Sequence, residues 1–320
     1  MRYASIHRHC CDVRAVAGLV GGSLGVSPRE DQRFRGKATT LTIVETLIIL
    51  LLGCAVGVTA GMFSVGGGIL ITPILVNMLG MPPMVSVGTG LCQMIGVALA
   101  SMIKAQRSGL GELKLAVVIA IPTWIGVQLG VGLLQHLNIL GLAASFVNIA
   151  FILVLATGAL LMATAPADPG ALRGVLSTSS LGPTLALSTV ERVVPYFVLV
   201  PAAIVIGALG GILGIGGGLL WTPLLTRGVG MRVNAAAMAS TGVLLVTSVS
   251  GTVNYALAGN VRLDIAMLML IGASIFAQLG ITIGKKISPA KLKWAFVLMV
   301  ICMDSYLILK TILDARYIPR

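Results

Sequence analysis

Four long stretches of this chain carry no Lys, Arg, Asp or Glu: Thr46 to Ile103, Leu115 to Ala167, Val193 to Thr226, and Val233 to Val261. A helix that crosses a bilayer needs roughly 20 mainly apolar residues, so the longest stretches hold more than one crossing. Hydrocarbon offers the backbone no hydrogen-bond partners, which leaves only helices or a closed barrel as spans. Barrel strands alternate apolar and polar residues; runs such as Leu47–Leu52 are apolar at every position. The expected fold is an all-α polytopic membrane protein. Of the 320 residues, 57% are hydrophobic and 10% charged, against roughly 45–50% and 25% in soluble domains. That balance excludes a soluble enzyme, a disordered chain and a disulfide scaffold.

The formal charge of +12 does not point to nucleic acid. The basic residues sit in short loops and tails, as topology signals do. Seven of the 22 fall in residues 1–40, which read as a basic, flexible tail. The five cysteines form no CxxC, and Cys54, Cys92 and Cys302 stand singly in apolar segments, read as small buried hydrophobes. No cofactor or metal is called for.

Ten apolar segments follow, at about 41–63, 66–79, 83–104, 113–134, 139–163, 195–214, 216–228, 233–258, 263–284 and 292–313. The second and seventh are too short to cross a hydrocarbon layer of about 30 Å. Both start at a glycine triplet, and the coincidence is a repeat. GVTAGMFSVGGGILITPIL (57–75) aligns with GALGGILGIGGGLLWTPLL (207–225) at an offset of 150, with nine of 19 positions identical. Thr89 and Thr241 occupy matching places two residues out of step, and Gln128-Leu-Gly recurs as Gln278-Leu-Gly. The chain divides into a first transmembrane repeat (41–163), a Pro/Ser/Thr-rich linker (164–194), a second repeat (195–313) and a short C-terminal tail (314–320). Duplicated halves with short, glycine-interrupted segments in corresponding positions are a pointer to a secondary transporter.

If all ten segments cross, each half has an odd count and the repeats are inverted. Eleven basic residues, among them Lys104, Arg107, Lys285 and Lys286, then share one face against four on the other, the tail left aside. If the short segments are re-entrant, the repeats are parallel and the split is 9 to 6. The positive-inside rule favours inversion, although it then leaves the basic tail outside.

Gly66, Gly67 and Gly68, with Gly216, Gly217 and Gly218, allow a helix to stop and restart. The restarted helix begins with unpaired N–H donors and the positive end of its dipole, an anion site that needs no buried cation. The competing reading is close packing, which Gly53, Gly57, Gly61, Gly207 and Gly211 serve as small-xxx-small stripes. Polar residues inside apolar segments, including Thr89, Gln93, Thr241, Gln128 and Gln278, can donate to an oxyanion or simply bond helix to helix. Asp304 lies midway along the last segment, where a carboxylate costs at least ~2.5–3.5 kcal/mol on insertion scales, and is the candidate for proton coupling. No Ser-His-Asp, HExxH or paired-carboxylate arrangement is present, so the chain is not read as an enzyme.

The doubled pattern G-x3-G-x4-GGG-x4-P-x-L, followed by a Gly/Ser-Thr-Gly helix, resembles the sulfite exporter TauE/SafE (TSUP) family of membrane permeases, from about Glu45 to Leu313. The resemblance implies an inner-membrane permease for small anions such as sulfite, sulfoacetate and related organosulfur or carboxylate compounds. It also implies functional roles for the glycine triplets, Thr89 and Thr241. The expected partners are a small anionic substrate and the lipid bilayer, with the oligomeric state open. The alternatives are an anion channel and a membrane structural or assembly factor that uses the glycines for packing alone.

Overall fold

The computed structural model describes residues 43–63, 67–107, 113–163, 184–186, 193–229 and 233–316. The basic tail (1–40), most of the linker, Gly66 and residues 317–320 lie outside these. The described residues form ten α-helices: α1 (Ile43–Phe63), α2 (Gly68–Asn77), α3 (Pro83–Arg107), α4 (Leu113–Ile139), α5 (Ala143–Ala163), α6 (Tyr196–Leu213), α7 (Gly218–Pro223), α8 (Val233–Leu257), α9 (Leu263–Lys286) and α10 (Pro289–Arg316). Every expected segment is a helix. α10 runs on past residue 313, into what the sequence marks as tail, and α4 extends far enough to put His136 on its exposed last turn. Between the two sets of five, Thr184–Ala186 (β1), in the segment read as linker, pairs antiparallel with Val193–Pro195 (β2), which reaches the first residue of the second repeat.

Among the described residues, six helices (α1, α3, α4, α5, α9 and α10) contain stretches long and apolar enough to cross a membrane. Their outer faces are apolar as well. Met267, Ile271, Ile275 and Leu279 form a stripe of exposed large side chains along α9, which suits a lipid solvent and not water. Cys302 is exposed on α10 and not buried, while Cys54 and Cys92 are half-buried. The chain is a multi-pass membrane protein.

Lipid gives helices no hydrophobic reason to associate, so close backbone packing must hold them together. Two glycine seams do this. Along α1 and α9, a Cβ added to Gly57 would lie 2.6 Å from the Ala273 backbone, one on Gly61 2.2 Å from the Ala277 carbonyl oxygen, and one on Gly280 2.1 Å from the Val58 oxygen. Along α4 and α6, a Cβ on Gly126 would lie 2.1 Å from the Ile204 oxygen and one on Gly207 2.5 Å from the Thr123 oxygen. The small-residue stripes are therefore packing surfaces. Any side chain there would drive two backbones apart.

The order of these contacts gives helix direction. Gly53, Gly57 and Gly61 meet Met269, Ala273 and Ala277 in step, so α1 and α9 run parallel. Gly88 of α3 meets Tyr255 of α8 and Asn260 just beyond its end, whereas Leu91 meets Gly251, so α3 and α8 run antiparallel. The first helix of each set lies along the fourth of the other, third packs on third, and fifth on fifth. This is the relation expected when one five-helix set is inverted with respect to the other.

Candidate functional site

Both chain interruptions have the same local geometry. Gly67 precedes α2 at φ 78°, ψ −11°, and Gly217 precedes α7 at φ 78°, ψ −15°. That is left-handed backbone, open to glycine and disfavoured for residues with a Cβ. In each helix the first paired amides reach back to this glycine: Leu70 and Ile71 donate to the Gly67 carbonyl, Leu220 and Trp221 to that of Gly217. The earlier donors of α2, Gly68 and Ile69, have no acceptor within the helix. α7 is only six residues long; Pro223, which brings no N–H, ends it, and the chain continues as a π-helical turn over Leu224–Val229.

The two interruptions touch. A Cβ on Gly68 would fall 2.2 Å from the Gly214 carbonyl oxygen, 2.7 Å from Ile215 Cα and 2.9 Å from Met94 Sδ. One on Gly216 would fall 2.5 Å from Met94 Cε and 2.2 Å from Leu244 Cδ1. Met94, on α3 and fully buried, therefore lies against both breaks. Tyr255 fixes the approach: its buried hydroxyl donates to the Gly211 carbonyl at 2.8 Å and ties α8 to the end of α6. At the far end of α2, the Lys310 ammonium donates to the Asn77 carbonyl, against the negative end of the helix dipole.

Of the residues singled out by sequence, the structure sets Gly68 and Gly216 at the junction, both against Met94, whereas Gly67 and Gly217 pack on Val56 and Ile206 of their own halves; Gly66 is outside the described residues. Thr89 is fully buried, but its Oγ1 accepts the Arg262 backbone N–H at 3.0 Å, so it holds the α8–α9 turn. Thr241 is buried on α8. Gln128 is half-buried on α4 and Gln278 is exposed on α9, on the two helices of the glycine seams. Asp304 is half-buried on α10, with Oδ1 shielded from solvent and without a hydrogen-bond partner. Among the described residues no three His, Cys, Asp or Glu side chains gather where a metal could bind.

Two buried polar residues, one inside α2 and one beside Met94 in the chain, carried less weight in the sequence. Thr72, inside α2, is fully buried, and its Oγ1 has no hydrogen-bond partner. It would lie 2.9 Å from a Cβ on Gly214 and 3.3 Å from one on Gly90. Gln93 on α3 is fully buried with both amide atoms unpartnered. Thr72 had a signal, since it is identical to Thr222 in the repeat; Gln93 had none beyond being polar in an apolar run.

Broken helices that meet inside a bundle of apolar spans define a class, the multi-pass membrane transporters. The family model of the sulfite exporter TauE/SafE family matches residues 49–307, and the chain belongs to that family. It is 24% identical to the probable membrane transporter protein YunE of Bacillus subtilis (strain 168), over 82% of this chain and 97% of the relative. It is 26% identical to the probable membrane transporter protein MJ0441 of Methanocaldococcus jannaschii, over 77% and 89%. A probable membrane transporter protein of Xylella fastidiosa (strain Temecula1) is 28% identical over 84% and 97%. No solved structure matches the chain. The protein is a membrane transporter of this family.

Proposed function

We propose that the protein is a secondary transporter that exports a small oxyanion, such as sulfite, sulfoacetate or a related organosulfur or carboxylate anion, across the cell's inner membrane. The anion rests between the two interruptions, against the free amides at the start of α2, and access alternates as one five-helix set rocks against the other. The observation that carries this reading is the contact of Gly68 with Gly214 and Ile215, which joins the two breaks at one place. In this arrangement Met94 and Leu244 cover the junction, as they would in a closed state between the two open ones. Their side chains must withdraw for the anion to enter. Asp304 is the proposed coupling group.

The test is flux in proteoliposomes. Labelled sulfite, sulfoacetate and acetate should move faster than in empty vesicles, with saturation and without unitary currents. Movement no faster than in empty vesicles for all three rules out the substrate class, and unitary currents identify a channel.

A further inference from the structure

Thr72 and Gln93 do not behave as residues whose only role is structural. Thr222, the counterpart of Thr72 in the second interruption, spends its hydroxyl on the Gly218 carbonyl at 3.0 Å. Thr72, in the same place in α2, leaves its hydroxyl unpartnered beside Gly214. Allowing for the two-residue slip between the halves, Leu245 stands where Gln93 would recur. The hydroxyl of Thr72 is thus unspent at the junction where its counterpart Thr222 is satisfied, and Gln93 has an apolar counterpart; in the second short helix the unpartnered buried group is Trp221 Nε1.

Gln93 follows Gly90 by one helical turn on α3 and immediately precedes Met94; Gly90 is the residue whose Cβ would meet the Thr72 hydroxyl, and Met94 touches both breaks. Buried amides and hydroxyls are almost always hydrogen-bonded, and leaving one unpaired is costly. Two such residues, one in α2 and one a helical turn from the glycine that meets it, are the pattern of a polar site whose partner is a ligand.

We infer that Thr72 and Gln93 are the substrate-binding side chains, and that the ligand they fit is a small oxyanion carrying one proton. This deepens the reading above and rests on it. A bare oxyanion offers only acceptors. It would satisfy the Thr72 hydroxyl, Gln93 Nε2 and the α2 amides, but it would leave Gln93 Oε1 unpaired. A singly protonated oxyanion, of the hydrogensulfite type, presents acceptors to those donors and its one hydrogen to Oε1. The site is asymmetric, although the surrounding backbone is repeated.

The experiment replaces Gln93→Leu and Thr72→Val, each close in shape and unable to hydrogen-bond. Purified variants are compared with the parent by thermal unfolding without substrate, and by sulfite flux across a series of pH values. Removing an unpaired buried polar group should leave the unfolding midpoint unchanged or raised. The KM for sulfite should rise at least tenfold in each variant. In the parent, KM reckoned on total sulfite should climb as pH rises through the hydrogensulfite titration, and in Gln93→Leu that dependence should flatten. A fall in midpoint for both variants would show that the side chains have structural partners, and unchanged KM values would show that they do not bind; either overturns the proposal. A parent KM that ignores pH overturns the protonated form. A parent that moves none of the three anions fails one step earlier, at the substrate class, and takes this assignment with it.

Discussion

Gly68 and Gly132 are both helical glycines, yet alanine should act in opposite directions at the two. Around Gly132 a Cβ meets nothing within 4 Å, so Gly132→Ala gains the usual helix preference of about 0.5–1 kcal/mol. At Gly68 the obstruction is backbone, which cannot turn aside. Gly68→Ala should exceed the 1–3 kcal/mol typical of overpacking and yield little folded protein, as read by size-exclusion profile and unfolding midpoint in detergent. Gly67→Ala and Gly217→Ala fall between. Each adds about 1–2 kcal/mol for left-handed backbone, and each Cβ meets mainly a side chain, Val56 Cγ1 at 2.5 Å or Ile206 Cγ2 at 2.9 Å, which can give way. Folded protein with lost flux is expected, whereas unfolding of both would mean the glycines only pack. Identity between the halves singled out these glycines, but it could not sort role from role. It raised Gln278, which faces outward, as readily as it raised the triplets, because a seam and a site repeat alike. Whether a hydroxyl such as that of Thr72 is spent or free depends on neighbours from other helices, which no spacing in one chain displays.

The helices themselves were readable, because in lipid length and absence of charge are enough to mark them. The exceptions are instructive. α7 stops at Pro223 and widens into a π-helical turn, whereas α2 runs through the matching Pro73 to Asn77, a difference that the shared residue pattern does not announce. The pairing of α1 with α9 and of α4 with α6 was equally hidden: the glycine stripes announced close contact without naming a partner. Two tests belong at this level. Gly57→Leu should separate α1 from α9, because its Cβ alone would already meet the Ala273 backbone, and the unfolding midpoint should fall sharply. Tyr255→Phe keeps the ring and removes the hydroxyl, which leaves the buried Gly211 carbonyl without that bond. A loss of about 1–3 kcal/mol is expected, measured by thermal unfolding, together with slower flux, since this bond holds the end of α6 that leads into the second interruption.

For the molecule as a whole, direction and driving force remain linked questions. α9 has 24 residues, or roughly 36 Å at 1.5 Å per residue, enough to put its two ends on opposite sides. The excess of basic residues among the loops grouped with Lys285 and Lys286 predicts that end to be cytoplasmic. In a cysteine-free background, Ala258→Cys should therefore label with an impermeant thiol reagent in intact spheroplasts, and Ser288→Cys only after permeabilisation; the reverse pattern inverts the assignment. With the cytoplasm negative, a monovalent anion runs outward with about 2.3 kcal/mol per 100 mV, which supports a gradient of about 50-fold at equilibrium. Export through this fold thus needs no coupling ion. Asp304 has a task only if the measured gradient exceeds that limit. Proteoliposomes clamped at 100 mV decide it: accumulation at or below about 50-fold, unchanged in Asp304→Asn, makes the carboxyl dispensable. Accumulation above 50-fold in the parent that falls to the electrical limit in Asp304→Asn makes it the proton carrier.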